Sequence, residues 1–136
     1  MKPIMQTKFT DELETVHGNC FAACVASLLE LSLGDVPAFE AMGSEWGQEL
    51  YRFLTEQGYV FQGSFYPPPL LFWPKLLRTS GGVDGFFIAL GTSPRLHVRR
   101  GHAVIMKNNR LAHDPHPSGD GLTEIQSVLM IRRIKA

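Results

Sequence analysis

The sequence predicts an α+β domain in which helices come first and an antiparallel β-sheet follows. Helical patterns cover residues 19–31 and 44–58, where apolar residues recur at helical spacing. From residue 85 onward the pattern changes to short runs of branched and aromatic residues, separated by Gly, Pro, Ser and Asn clusters. Because helices and strands are segregated along the chain, we expect a helical layer on one side of the sheet.

The length and the charge balance of the chain favour one domain that binds a small group in a site. The 136 residues match a single domain, spanning residues 1–136, that needs no disulfide or metal to hold its core. The 13 basic and 13 acidic side chains give no net charge, which argues against nucleic acid or an anionic membrane as partner. We find no signal peptide and no membrane-length apolar run, so the expected location is the cytoplasm.

The first helix begins at the stretch Gly18-Asn19-Cys20-Phe21, which is followed by an uninterrupted run of small and apolar helix formers. Cys20 falls in the first turn, where free backbone N–H groups and the helix dipole favour a thiolate. Cys24, one turn later among apolar residues, is expected to be buried in the core. A disulfide between the two is geometrically poor, so both are expected to be reduced.

The remaining elements follow in order along the chain. Residues 3–9 predict a short strand or extended arm carrying Gln6, and Ser44 is a candidate N-cap for an amphipathic second helix that ends before Gly58. After a strand over residues 59–61, three prolines predict an extended connection, with a short helix near Pro74. Four further strands are expected over residues 86–90, 102–106, 110–113 and 128–131.

Two residues of the predicted sheet give Cys20 a chemical context. His102 opens one strand directly after Gly101, and Asp114 ends the next strand, twelve residues later. Thiol acyl transfer needs a nucleophile, a base that takes its proton, and a group that holds the tautomer of the imidazole. Cys20, His102 and Asp114 supply these residue types in that order.

The motifs Gly18-Asn19-Cys20-Phe21, His102-Ala103-Val104-Ile105 and His113-Asp114-Pro115 resemble those of small bacterial and phage papain-like cysteine peptidases. The resemblance is to the NlpC-type and the double-glycine bacteriocin-processing peptidases in particular. The resemblance covers the nucleophile helix and the second half of the sheet, and leaves residues 32–84 outside it. It implies a papain-like fold, with N-terminal helices packed on a C-terminal antiparallel sheet.

Carried over to this sequence, the resemblance implies that Cys20 is the nucleophile, His102 the general base and then acid, and Asp114 the orienting group. The substrate would be a peptide or protein amide, and the chemistry needs no cofactor and no metal. Relatives usually carry an oxyanion-stabilising glutamine a few residues before the cysteine. Here the candidate is Gln6, fourteen residues upstream.

Three neighbours of these residues in the sequence, Asn19, His17 and Pro115, are expected to line the cleft. The backbone N–H of Cys20, at the helix start, can supply one oxyanion donor whatever the position of Gln6.

The triad makes a prediction about the hairpin that joins its last two members. If residues 108–109 form a two-residue turn, Lys107 faces Arg110, and strand alternation places His102 and Asp114 on opposite faces. A longer loop or a β-bulge shifts the pairing of the two strands by one residue and brings His102 and Asp114 to the same face. The mechanism therefore predicts an irregular hairpin.

Alternative functions stay open at this point. The same thioester chemistry serves a transglutaminase or a deamidase, and the fold also suits an inactive binding module, such as a phage or bacterial inhibitor or effector. A zinc site built from His17, His113 and His116 together with the two cysteines lacks the usual ligand spacing. The arginines at positions 95, 99 and 100 indicate a solvated surface, or less readily a carboxylate-binding rim beside the cleft.

Overall fold

The chain is α+β, with two α-helices and a five-stranded antiparallel sheet. The computed structural model describes residues 1–10, 18–64, 82–95, 101–108 and 110–134. The predicted proline connection, the helix near Pro74 and His17 lie outside these residues. Among the helices that are described, none combines the length and apolar character needed to cross a membrane.

The two helices lie where the sequence predicts them, with shorter bounds. Helix α1 spans Cys20–Leu29 and ends at Glu30, whose left-handed backbone (φ 57°) stops the helix before Gly34 is reached. Helix α2 spans Trp46–Glu56. The predicted N-cap Ser44 is wrong, because Ser44 lies inside a 3₁₀ turn, Gly43–Glu45, that leads directly into α2.

Each of the five strands predicted from residue 59 onward is present in the sheet. Its strands are β1 (Tyr59–Ser64), β2 (Phe87–Thr92), β3 (His102–Lys107), β4 (Arg110–His113) and β5 (Glu124–Arg133). Their order is β1-β5-β2-β3-β4, and all neighbours are antiparallel. Strand β5 is much longer than the predicted run because it pairs with β1 on one side and β2 on the other.

Alternation along the strands divides the apolar residues of the sheet between two clusters. Ile88, Ile105 and Leu129 belong to the main core, together with residues of α1 and α2. The next residues along these strands, such as Phe87 and Val104, belong to a second cluster. Cys24 is fully buried in the main core, which confirms its predicted structural role.

Residues 1–10 form an extended arm and contain no strand. The backbone N–H of Lys2 donates to Ser27 O at 3.0 Å, and that of Ile4 donates to Ser27 Oγ at 2.9 Å, so the start of the arm is bound to the last turn of α1. Further along, the N–H groups of Thr7 and Lys8 both donate to Asn19 Oδ1 at 2.9 Å. The arm therefore runs beside α1 towards the N-terminus of that helix.

Candidate active site

The hairpin between β3 and β4 is irregular, as the triad requires. Lys107 pairs with Arg110 and Met106 with Leu111, but Ile105 then pairs with His113, so Ala112 is an extra residue on β4. This bulge shifts the alternation by one and brings His102 and Asp114 to the same face. The prediction of an irregular hairpin is confirmed, and a bulge is the form that it takes.

The side chains of His102 and Asp114 meet directly. His102 Nε2 lies 2.7 Å from Asp114 Oδ1, and both residues are buried. The Asp114 carboxylate also accepts hydrogen bonds from the backbone N–H of His116 (2.9 Å, to Oδ1) and of Gly121 (2.8 Å, to Oδ2). An ionised Asp114 makes Nε2 of His102 the protonated nitrogen and leaves Nδ1 as the second functional atom of the ring.

Asp114 is stabilised as a carboxylate. Burial by itself would raise its pKa, but the hydrogen bond from His102 and those from the two backbone N–H groups outweigh burial, and its pKa lies below the usual value. The group that orients the imidazole is therefore ionised at neutral pH.

Cys20 is the first residue of α1 and its side chain is half-buried. The backbone N–H groups of Ala103, the residue directly after His102, of Phe21 and of Cys20 itself act to lower the pKa of the Cys20 thiol. Helix α1 packs against β3, the strand that His102 opens.

The predicted thiolate character of Cys20 is wrong for the free protein. Burial, with the charge of Glu40 as a second cause, raises the pKa of the Cys20 thiol to about 12, against the N–H groups that lower it. The helix N-terminus is present, but the low-polarity surroundings disfavour an isolated thiolate more than the backbone N–H groups favour it. The thiol form is therefore the resting form.

Glu40 occupies the N-terminus of α1. Its Oε2 accepts hydrogen bonds from the backbone N–H of Phe21 at 2.8 Å and of Ala22 at 3.4 Å. Its Oε1 is buried and has no hydrogen-bond partner among the described residues. Burial raises the pKa of Glu40, although the backbone N–H groups oppose the shift. In many helices the side chain of the N-cap residue accepts these N–H groups. Here the N-cap residue Asn19 makes no such hydrogen bond, and the Glu40 carboxylate accepts them instead.

Gln6 is brought to the site by the arm, despite its fourteen-residue separation from Cys20. Its side chain is buried, Nε2 donates to Lys8 O at 2.9 Å, and Oε1 has no partner among the residues that the structure describes. Its backbone N–H donates to Pro115 O at 3.0 Å. Since an amide nitrogen carries two hydrogens, Nε2 retains one N–H for another acceptor.

A cavity of about 420 Å³ connects these groups. Gln6, Cys20 and His102 line it, and Asp114 lies behind His102. Charged or ionisable side chains on its wall are Glu40, Arg95 and His116. Large apolar side chains on its wall are Phe9, Phe21, Phe39, Trp46 and Leu90. The volume is in the range of small-molecule sites, and the lining combines apolar walls with a few polar groups.

Two of the residues expected to line the cleft have other positions. Asn19 is not on the wall of this cavity; it borders a second, smaller one and holds the arm through Thr7 and Lys8. Pro115 is fully buried, and its carbonyl fixes the backbone of Gln6. Neither residue lines the site cavity, and both instead hold the arm that carries Gln6. His17 lies outside the described residues.

The histidines considered for a metal site have separate partners. His113 Nε2 donates to Ile4 O at 2.7 Å, which ties β4 to the arm, and His116 lies in the loop after Asp114. Within the described part of the chain, no three His, Cys, Asp or Glu residues are grouped so that they could hold a metal ion.

The sequence did not indicate that Glu40 and the aromatic residues line this cavity, and His116 was considered only as a zinc ligand. Phe21 packs edge-on against Phe39 and Trp46, with ring centroids 5.8 and 5.9 Å apart. These residues come from three separate stretches of the chain. His116 could have been found from its proximity to Asp114, but Glu40 had no signal, since an acidic residue between two helices is usually a solvated one.

Comparisons of the chain with protein-family models, with curated proteins and with solved structures found no match.

Proposed function

We propose that the protein is a papain-like cysteine hydrolase that cleaves an amide bond, in a peptide or isopeptide, through a thioester formed on Cys20. The observation that carries the proposal is the convergence of Cys20 and His102 on one cavity, with Asp114 hydrogen-bonded to the imidazole. The three residues come from the start of a helix, the start of a strand and the end of the next strand, and the β-bulge at Ala112 brings His102 and Asp114 to one face of the sheet.

In the acylation step, Nδ1 of His102 takes the proton of the Cys20 thiol as the sulfur attacks the carbonyl carbon of the substrate. The negative oxygen of the tetrahedral intermediate accepts hydrogen bonds from the backbone N–H of Cys20 and from the free Nε2–H of Gln6. The imidazolium then returns its proton to the departing amine, the C–N bond breaks, and the acyl group stays on sulfur as a thioester.

Deacylation uses the same groups with water as the nucleophile. His102 removes a proton from water, hydroxide adds to the thioester carbonyl, and collapse of the intermediate releases the carboxylic acid and restores the Cys20 thiol. Asp114 remains ionised throughout and stabilises the imidazolium in both steps. Proton transfer within the Cys20 and His102 pair explains how a thiol with a raised pKa acts at neutral pH, because the developing thiolate faces a developing imidazolium.

Alkylation with iodoacetamide across pH tests the nucleophile. In a Cys24→Ala background all labelling belongs to Cys20, and we expect a reactive plateau below pH ~8 that His102→Asn abolishes, leaving reaction only at alkaline pH. Identical pH profiles for the two proteins would contradict the proposal. Gln6→Ala is expected to leave the alkylation profile unchanged and to slow amide turnover about 100-fold, as loss of an oxyanion donor does.

One observation favours a second candidate function, a papain-like binding module without turnover. Burial and the Glu40 charge both raise the pKa of Cys20, which is the opposite of what an activated nucleophile needs. In this case Cys20→Ala would retain the biological effect, and substitutions on the cavity wall such as Trp46→Ala would abolish it. Transglutaminase and deamidase activities share the thioester and are distinguished by product, since an added primary amine is incorporated only by a transferase.

A further inference from the structure

We infer that Arg95 and His116 form a carboxylate-binding subsite on the leaving-amine side of the site cavity. The substrates of the proposed hydrolase would then be amides whose departing amine carries a carboxylate group. This inference rests on the proposed function, because it uses the roles of Cys20 and His102 to assign the two sides of the cavity.

Arg95 is a half-buried cation on the cavity wall that lacks a counter-ion in the described structure. Its Nη1 donates to Ser118 Oγ at 3.0 Å, and its backbone N–H donates to Ser93 Oγ at 3.2 Å, so both ends of the residue are held. No carboxylate among the described residues lies within ion-pair distance of its guanidinium. Glu40, the acidic residue on the same wall, makes no ion pair with Arg95: its Oε2 binds the α1 backbone, and its Oε1 has no hydrogen-bond partner among the described residues.

His116 is linked to Arg95 through the Ser118 side chain, which contacts both residues. Nδ1 accepts the backbone N–H of Ser118 at 3.0 Å and lies 2.9 Å from Ser118 Oγ. Because Nδ1 is an acceptor, the neutral ring carries its hydrogen on Nε2. That N–H has no acceptor among the residues that are described. Ser118 thus orients both side chains, and an Arg donor and an imidazole N–H together suit a carboxylate.

The position of His116 relative to His102 places this subsite on the side of the departing amine. The two imidazole rings lie edge to face, with centroids 6.2 Å apart, and the backbone N–H of His116 donates to Asp114. The amine must be next to His102 to receive its proton. Phe21 of α1, Phe39 of the segment after it and Trp46 at the start of α2 also line the cavity, and we assign the acyl group to this apolar part.

The charges around His116 favour its neutral form, so that in the subsite His116 is a neutral hydrogen-bond donor and Arg95 is the cation. Burial is the main cause that lowers the pKa of His116, and the positive charge of Arg95 acts in the same direction, while Asp114 and Asp120 raise it. The net shift is downward, so at neutral pH the ring is uncharged and Arg95 supplies the positive charge. Binding of a carboxylate adds one negative charge where the described residues leave Arg95 uncompensated.

Alkylation of Cys20 by an anionic and a neutral reagent of the same size tests the subsite. We would measure the ratio of the iodoacetate rate to the iodoacetamide rate in the Cys24→Ala background. The expected result is that Arg95→Gln lowers this ratio about fivefold or more, because the carboxylate of iodoacetate loses a charged hydrogen-bond partner. Arg95→Lys is expected to keep most of the ratio, since the positive charge is retained.

Arg132→Gln is the matched control, because it removes one positive charge from an exposed residue of β5 and leaves the cavity wall intact. An unchanged ratio in Arg95→Gln, or an equal fall in Arg132→Gln, would overturn the subsite. The ratio is measured at alkaline pH as well, where any thiol reacts, so a Cys20 that is not activated at neutral pH contradicts the proposed hydrolase without affecting this test.

Protection experiments identify the source of the carboxylate. Acetyl-Phe-Gly with a free C-terminus, its C-terminal amide, and acetyl-Phe-Asp amide would each be added before iodoacetamide. Protection by the free acid indicates recognition of a C-terminal α-carboxylate, and protection by the aspartyl amide indicates an acidic side chain after the scissile bond. If neither protects better than the neutral amide at equal concentration, the carboxylate subsite is wrong.

Discussion

At the scale of single residues, the carboxylate of Glu40 lies where the N-terminus of α1 would otherwise favour a thiolate. Its Oε2 accepts the N–H groups of Phe21 and Ala22, which are the first donors after Cys20. The positive end of the helix is thus partly compensated by a group that itself repels a negative sulfur. In the proposed hydrolase, activation of Cys20 therefore has to come from His102 more than from the helix.

We predict that Glu40→Gln lowers the pKa of Cys20 and speeds its alkylation. The amide keeps the volume of the side chain and one hydrogen-bond acceptor for the α1 backbone, but removes the charge that raises the pKa. A fall of one pKa unit gives about a tenfold gain in rate at fixed pH below the pKa. Iodoacetamide rates across pH measure this shift, and Glu45→Gln, on an exposed residue of the turn before α2, serves as the control.

Asp114→Asn tests the electrostatic part of the triad through stability. The pKa of Asp114 is lowered in the folded protein, so its stabilising contribution is fully present above the unfolded-state pKa and is lost as pH falls through the folded-state pKa. We expect the variant to be about 1–3 kcal/mol less stable at neutral pH, and to lose less further stability than the parent below pH ~4.

Urea unfolding midpoints at several pH values measure both effects of Asp114→Asn. Asp120→Asn, on an exposed residue of the same loop, is expected to change neither. Parallel pH dependence of the parent protein and the Asp114→Asn variant would contradict an ionised, hydrogen-bonded Asp114.

At the scale of elements, irregularities in the strands place the functional side chains. The extra residue at Ala112 in β4 changes the face to which Asp114 points. A second register shift lies between Leu90 and Gly91, where β2 pairs with β5. A Cβ on Gly91 would collide with the backbone carbonyl oxygen of Glu124, so only glycine fits at this close approach of two backbones.

We predict that Gly91→Ala destabilises the protein by about 3 kcal/mol or more, because the strand backbones must separate to admit a methyl group. Gly47→Ala is the opposite case: Gly47 lies within α2, and a Cβ there meets nothing within 4 Å. That substitution is expected to stabilise by up to about 1 kcal/mol, since alanine has the higher helix propensity. Thermal or urea unfolding of the two variants distinguishes them, and equal effects would contradict the register.

At the scale of the whole molecule, one apolar core joins both helices to the sheet. Residues of α1, α2 and strands β2, β3 and β5 all contribute to it, and α1 is buried along its length after Cys20. The arm is attached to this unit through Ser27, Pro115 and His113, which bind Ile4 or Gln6. The position of Gln6 in the site cavity is therefore a consequence of the global fold.

Leu54→Ala tests this common core. Leu54 is completely buried, so we expect a loss of about 2–5 kcal/mol in the free energy of unfolding. Tyr51→Ala on the exposed side of α2 is the control, with an expected change within about 0.5 kcal/mol. If α2 and the sheet share one core, circular dichroism and tryptophan fluorescence must report a single unfolding transition in Leu54→Ala, and separate transitions would exclude it.

The sequence by itself determined the elements and their order. Apolar spacing located α1 and α2, and branched and aromatic runs located the strands, because these patterns reflect which face of each element is buried. The same reasoning placed Cys24 in the core and required an irregular hairpin between His102 and Asp114. These are local properties, decided by periodicity and by the count of residues in a turn.

Only the tertiary structure decided the environment of the candidate site. The pKa of Cys20 reverses its predicted direction because burial and Glu40, twenty residues away, outweigh the local helix effect. Gln6 joins the cavity through hydrogen bonds to distant residues, and His116 and Arg95 meet there through Ser118. Electrostatic and packing effects depend on distance in space, and separation along the chain does not fix that distance.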